Sequence, residues 1–129
     1  MTNEIIDPGW AWPANFGLVA GIKRGNTIYL SGYVSVNGTG ELVGEDDMYV
    51  QAKQIFQNIQ DALASAGATM QDVVKVNAYL VDMARYTEFA KARAEAFPQG
   101  TPASTAVGVA ALAAPIFLVE VEAVAEIDK

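Results

Sequence analysis

The segment 117–127 alternates two kinds of side chain with a period of two, and this pattern constrains the fold more than any other. A period of two predicts a β-strand with one face on a hydrophobic core. The first set consists of Val119, Val121, Ala123, Ala125 and Ile127. The second set consists of Leu118, Glu120, Glu122, Val124 and Glu126. Because the second set mixes carboxylates with apolar groups, we expect that face to be partly covered.

Two segments have the periodicity of amphipathic helices instead. The first spans about 48–66, preceded by the candidate N-cap residues Asp46 and Asp47 and followed by Gly67 at a position that suits a left-handed C-cap. Its apolar stripe consists of Ala52, Ile55, Phe56, Ile59, Ala62, Leu63 and Ala66. The second spans about 85–97 and ends before Pro98. Its inner face is expected to consist of Phe89, Ala92, Ala96 and Phe97.

Further strands are predicted at 18–22, 27–34, 73–81 and 105–111 from β-branched and aromatic runs bounded by turn residues. In the third of these, Val74, Val76, Ala78 and Leu80 are expected to share a face. The order β-β-α-β-α-β-β predicts an α+β fold in which two helices cover one face of a mixed sheet. We interpret residues 1–129 as one domain, and we expect another subunit to cover the second face.

Composition supports association and argues against several kinds of partner. Hydrophobic residues make up 52% of the chain and charged residues 18%, which suggests apolar surface that is hidden between subunits. The net charge of −7 repels a phosphate backbone, so we expect no nucleic-acid partner. No signal peptide, cysteine or membrane-length apolar run is present, and we expect a cytoplasmic protein without a membrane partner.

The chain contains neither histidine nor cysteine. Ser-His-Asp triads, cysteine nucleophiles and zinc sites with His or Cys ligands are therefore excluded. Any acid-base chemistry must come from Glu, Asp, Lys, Tyr or water, and we expect no metal and no cofactor.

Several stretches, taken together and in this order, resemble the RidA/YjgF family of reactive-intermediate deaminases. They are residues 24–32 (RGNTIYLSG), 66–68 (AGA), 72–76 (DVVKV), 82–83 (DM), 102–112 (PASTAVGVAAL) and 118–123 (LVEVEA). The resemblance interprets the last two stretches as a C-terminal hairpin. It implies a chorismate-mutase-like fold and a barrel-like homotrimer with ligand clefts between subunits. It also implies hydrolysis of reactive enamines or imines, such as 2-aminoacrylate, to a keto acid and ammonia without a cofactor.

The sequence departs from the deaminating relatives at three aligned positions. Ser104 stands where their motif has the arginine that clamps the substrate carboxylate, Ala90 where they often have asparagine, and Tyr33 where they often have glutamine. A serine hydroxyl offers one weak hydrogen bond instead of a bidentate, charge-assisted pair. We therefore expect a substrate less anionic than 2-aminoacrylate.

The resemblance assigns Glu120 to catalysis, where it would hold water or move a proton; the alternative is a solvated carboxylate on a strand. The candidate ligand-binding residues are Ser104, Tyr33, Phe16, Leu18 and Gly32. We interpret Trp10 and Trp12 as structural anchors and Arg93 as a solvated side chain, or else as a replacement for the missing cation. The alternatives to an imine-directed enzyme are a non-catalytic, small-molecule-binding trimer and, disfavoured by the charge, an endoribonuclease.

Overall fold

The computed structural model describes residues 2–128 and confirms the predicted α+β class. Its strands are β1 (Glu4–Ile6), β2 (Gly21–Arg24), β3 (Thr27–Leu30), β4 (Val73–Leu80), β5 (Ala103–Gly108) and β6 (Val119–Glu126). Its α-helices are α1 (Trp12–Asn15), α2 (Met48–Ser65) and α3 (Tyr86–Ala96). Short 3₁₀ turns at Met70–Asp72 and Met83–Arg85 precede β4 and α3. The first strand and the one-turn helix α1 were not predicted, because their short segments carry no clear period.

The six strands form one mixed sheet in the order β1-β2-β3-β6-β4-β5. Neighbouring strands are antiparallel except β4 and β5, which are parallel and connected through α3. The hairpin expected for the C-terminal third is wrong, because β4 lies between β5 and β6. A parallel partner for β4 requires a crossover connection, which α3 supplies, and this leaves β5 at the edge of the sheet.

The long helix α2 begins and ends as its sequence predicts. The Asp47 carboxylate accepts a hydrogen bond from the Val50 N–H at 3.0 Å, and Gly67 follows the last turn with a φ of 79°. Its apolar stripe packs against the sheet and against α3, where the Phe56 ring lies 6.0 Å from Phe89 and 5.7 Å from Phe97. Both helices therefore close the same side of the sheet.

The predicted core face of β4 is wrong at its first residue, Val74. Val74 is 49% exposed, whereas Val73 is buried, because the β4–β6 register shifts between Val73 and Lys75. The predicted side chains further along, Val76, Ala78 and Leu80, do lie in the core. An irregularity of this kind adds a residue to one strand and reverses which side chains face the core before it.

The predicted strand 27–34 divides into two parts. Regular pairing with β6 ends at Tyr29↔Val124, and Tyr33 rejoins β6 through an isolated bridge to Val121. Tyr33 lies four positions after Tyr29, whereas Val121 lies only three positions before Val124. The segment after β3 therefore contains one residue more than the part of β6 that it pairs with. The backbone therefore bends at Ser31 and Gly32, on the side of the sheet away from the helices.

Candidate functional site

A cavity of about 500 Å³ opens where this bend meets the N-terminal arm and the loop before β6. We call it the Glu120 cavity. It is lined by Trp12, Phe16, Leu18, Ser31, Gly32, Val34, Val36, Gly40, Ala113, Phe117 and Glu120. The walls are thus mainly aromatic and aliphatic, as is typical of small-molecule sites. Glu120 is the one lining residue with a charged side chain, counting the described residues 2–128.

The Glu120 carboxylate lies on the helix-free side of β6 and is partly buried. Burial raises its pKa above the usual range, and the charge of Glu122 on the same face raises it further. Glu122 itself accepts a hydrogen bond from the Tyr79 hydroxyl at 2.9 Å, on the neighbouring strand. A carboxyl with a raised pKa works nearer to neutral pH as an acid or base.

Gly32 determines where this carboxylate can lie. A methyl group built at Gly32 would overlap the Glu120 Oε2 atom and would come 3.0 Å from its carboxyl carbon. The absence of a side chain at Gly32 therefore lets the carboxylate rest against the bend of the backbone. This places Gly32 as a positioning residue for Glu120.

The side-chain hydroxyls of both residues next to Gly32 donate hydrogen bonds to backbone carbonyls. The Ser31 hydroxyl donates a hydrogen bond to the Val19 carbonyl at 2.7 Å, so its remaining capacity toward the cavity is that of an acceptor. Tyr33 is completely buried, and its hydroxyl donates to the Ala20 carbonyl at 2.9 Å. The structure therefore places Tyr33 in the core, and Tyr33 is not one of the residues that line the Glu120 cavity.

Aromatic packing explains the burial of Tyr33. Its ring meets Trp10 edge-on at 5.3 Å and Trp12 at 6.0 Å, while the two indoles stack at 5.6 Å. This cluster fixes the N-terminal arm to the sheet, as the anchoring interpretation expects. Trp12 also forms a wall of the cavity, which the sequence did not indicate. Its indole Nε1 is buried without a partner among residues 2–128 and is not accessible from the cavity.

Phe16 and Leu18 line the cavity and remain 74% and 54% exposed. Side chains of this size are costly to leave in water, so this rim offers apolar surface to a ligand or to a neighbouring subunit. Val34 and Phe117 complete the wall and were not among the candidate residues. Their apolar character alone did not distinguish them from core residues.

Ser104 lies elsewhere. It pairs with Val76 on β4, whose side chain is in the core, so Ser104 faces the helix layer and Glu120 faces the opposite side. Its hydroxyl accepts a hydrogen bond from Arg93 Nε at 2.8 Å, and Arg93 Nη2 donates to the Pro102 carbonyl at 3.0 Å. Arg93 is therefore a partly buried, ordered side chain and not simply a solvated one. Within one chain, Ser104 and Glu120 do not form a common site.

The described residues offer no group of three or more carboxylates close enough to hold a metal ion. None of the helices in residues 2–128 is long and apolar enough to cross a membrane.

Comparison with known proteins identifies the family of the chain. The family model described as Endoribonuclease L-PSP matches residues 11–127. The 3-aminoacrylate deaminase RutC from Acinetobacter baylyi is 31% identical over 127 residues, covering 98% of this chain and 100% of that protein. A 2-iminobutanoate/2-iminopropanoate deaminase from Dermatophagoides farinae is 36% identical over 92 residues, which cover 70% of this chain and 71% of that protein.

The fold is similar to that of a solved member of the YjgF family from Mycobacterium tuberculosis. The TM-score is 0.84 at 29% sequence identity, covering 98% of this chain and 100% of that one. The chain therefore belongs to the RidA/YjgF family of endoribonuclease L-PSP-type proteins.

Proposed function

We propose that this protein hydrolyses a small reactive enamine or imine, with Glu120 handling the proton of the attacking water. The observation that carries the proposal is a single partly buried carboxylate with a raised pKa in an otherwise apolar cavity. Two similar proteins are named as deaminases of 3-aminoacrylate and of 2-iminobutanoate or 2-iminopropanoate, which supports the reaction class.

The reaction needs only water and a group that moves protons. Water adds to the carbon of the protonated C=N bond while Glu120 accepts one of its protons, and the electron pair of the double bond moves to nitrogen. Glu120 then returns that proton to the nitrogen, which leaves as ammonia as the C=O bond forms. The remaining hydroxyl proton passes through Glu120 to the solvent, which balances the proton that the imine took up at the start. The sum is imine plus water to carbonyl compound plus ammonia, and an enamine enters after tautomerising to the imine.

The active assembly is proposed to be a homotrimer in which a neighbouring subunit completes the cleft. The exposed rim residues Phe16 and Leu18, and the exposed edge strand β5, support a partner at this side of the sheet. Sedimentation equilibrium should give about three times 13.7 kDa. A monomer at micromolar concentration would contradict both the trimer and the intersubunit cleft.

The substrate is proposed to differ from the usual 2-aminoacrylate. The family resemblance aligns Ser104 with the arginine of deaminating relatives, and no lining residue among those described supplies a cation. A carboxylate placed in the cavity would meet the charge of Glu120 without compensation. Release of keto acid from enzymatically generated 2-aminoacrylate should therefore stay near the spontaneous rate.

The deciding experiment compares Glu120→Gln with Glu126→Gln. Both changes remove one carboxylate from the helix-free face of β6, but Glu126 is exposed at the far end, where it accepts a hydrogen bond from the Thr27 hydroxyl. Glu120→Gln should lower kcat by about 10²–10⁴-fold, which is the typical contribution of a general acid-base group. Glu126→Gln should leave kcat unchanged. Equal rates for wild type and Glu120→Gln would mean that Glu120 is only a strand carboxylate.

The same pair of variants separates an enzyme from a ligand-binding protein. If wild type and Glu120→Gln bind a ligand equally and neither converts it, the protein is a binding module. The name of the family model suggests a third possibility, RNA cleavage. The net charge of −7 opposes contact with a phosphate backbone, so an assay with single-stranded RNA should show no cleavage.

A further inference from the structure

We infer that the Glu120 cavity selects ligands that combine a protonated nitrogen with an apolar body and lack a carboxylate, such as an aryl-substituted iminium ion or amine. The inference names the substrate class of the function proposed above and rests on that function for the step from binding to turnover. Binding itself is a separate property of the cavity and can be measured without any reaction.

The polar side chains that face the cavity, those of Glu120 and Ser31, accept hydrogen bonds. Glu120 provides the one charged side chain among the described lining residues, and the hydroxyl hydrogen of Ser31 is already donated to the Val19 carbonyl. The indole N–H of Trp12 is enclosed behind the wall and does not face a ligand. A ligand that donates hydrogen bonds and carries positive charge complements this arrangement.

The walls favour an apolar and, in particular, a cationic occupant. Trp12, Phe16 and Phe117 contribute three aromatic rings around one carboxylate. Aromatic faces attract a nearby cation through their quadrupole, and they bury the hydrocarbon part of a ligand in the same contact. A volume of about 500 Å³ lies within the usual range for small-molecule sites.

The cations that could have received a carboxylate are bound elsewhere in the chain. Arg93 donates to Ser104 and to the Pro102 carbonyl on the helix side of β5, and Lys75 donates to the Thr105 hydroxyl at 3.3 Å. Neither Arg93 nor Lys75 lines the Glu120 cavity. An anionic ligand would therefore lose its hydration next to Glu120 and gain no opposite charge from the chain that supplies Glu120.

The binding test uses three probes with the same ring: benzylamine, benzyl alcohol and benzoate. Isothermal calorimetry near neutral pH should show benzylamine binding at least about tenfold more tightly than benzyl alcohol, with benzoate weakest. Glu120→Gln should remove the preference for the amine, and Glu126→Gln should keep it. Circular dichroism and sedimentation check that both variants fold and assemble like the wild type. Benzoate bound as tightly as benzylamine would overturn the inference.

The turnover test uses two imines generated in place. A flavin-dependent amine oxidase converts benzylamine to a carboxylate-free imine, and an amino-acid oxidase converts phenylalanine to the imine that retains the carboxylate. Ammonia release above the spontaneous rate should be greater for the carboxylate-free imine. A preference for the carboxylate-bearing imine would overturn the inference while leaving the proposed function standing. Glu120-dependent binding of benzylamine without acceleration of either imine would overturn the proposed function while supporting the ligand class.

Discussion

The two faces of the sheet differ in how completely the chain itself covers them. On the helix side, Ile28, Leu80, Val119 and Val121 have no exposed surface, and Val76 is 1% exposed. On the other side, Tyr29 is 51% and Val107 is 42% exposed, and the partly buried Glu120 lies in an open cavity. The same strands supply both faces, because successive side chains of a strand alternate between them.

Because of this difference, we expect the helix-covered face to govern stability and the open face to carry function. Where the two helices bury the central strands there is no room for a ligand, so changes at those core residues alter folding. The open face keeps apolar walls, a titratable group and exposed edges, which are the features of a binding or assembly surface.

The largest expected effect is on the covered face. Leu80→Ala should lower the free energy of unfolding by about 2–5 kcal/mol, because it leaves a cavity in a fully packed core. Val107→Ala, on the open face, should cost less than about 0.5 kcal/mol when the chain is dilute enough to be monomeric. Urea denaturation measures both. Equal losses for the two variants would contradict the difference between the faces.

A second prediction concerns the placement of an arginine at position 104 on the edge strand β5. In the proposed trimer, where a neighbouring subunit completes the cleft, Ser104→Arg should increase turnover of carboxylate-bearing imines. Arg93 Nε already donates a hydrogen bond to the Ser104 hydroxyl, so its guanidinium would repel a second guanidinium at position 104. We therefore expect the double variant Arg93→Met, Ser104→Arg to gain about tenfold or more, as one charge-assisted hydrogen bond allows, and to exceed Ser104→Arg alone. A larger gain from the single variant would mean that Arg93 does not compete. Arg93→Met alone serves as the control.

A third prediction concerns Tyr33, which should contribute to stability and not to ligand binding in the Glu120 cavity. Tyr33→Phe removes the hydrogen bond to the Ala20 carbonyl, which still accepts one from the Ser31 N–H at 2.9 Å. The free energy of unfolding should fall by about 0.5–1.5 kcal/mol. The affinity for benzylamine should not change, since the hydroxyl does not reach a ligand. A loss of affinity at unchanged stability would return Tyr33 to the ligand contacts.

The smallest expected effect is the pH dependence caused by Glu120. Because burial and Glu122 raise the pKa of Glu120 in the folded protein, its protonated form is favoured by folding. The stabilisation is complete below the unfolded pKa and is lost as pH rises through the folded pKa. Relative to Glu120→Gln, the wild type should therefore be less stable at about pH 7 than at about pH 4, by a small amount because water screens a half-exposed group. A pH-independent difference, measured by urea denaturation, would show that the pKa of Glu120 is not raised.

Glu122→Gln tests the cause of that shift. Removing the neighbouring charge should lower the pKa of Glu120, so the acidic limb of the kcat profile should move to lower pH while the plateau is retained. An unchanged limb would assign the shift to burial alone.

Most of the secondary structure can be predicted from the sequence, because helical and strand periods and caps are local properties. The stripe of α2, the Asp47 cap and the alternation of β6 all follow from residues within a few positions of one another. Glu120 was proposed as the catalytic residue through resemblance to a family, because spacing alone does not distinguish it from Glu122. Phe16, Leu18 and Gly32, also assigned by resemblance, do line the cavity with Glu120.

Which of these residues lie close together depends on contacts between distant segments and could not be predicted from the sequence. Strand order depends on pairing between distant segments, so the chain's local pattern did not show that β4 separates β5 from β6. That order and the parallel register place Ser104 toward the helices beside Arg93, away from Glu120. Pairing between strands also produces the register shift that exposes Val74. It likewise produces the backbone bend that brings Gly32 against Glu120. The period of the sequence specifies which side chains share a face of a strand. Pairing between distant strands determines which other residues that face contacts.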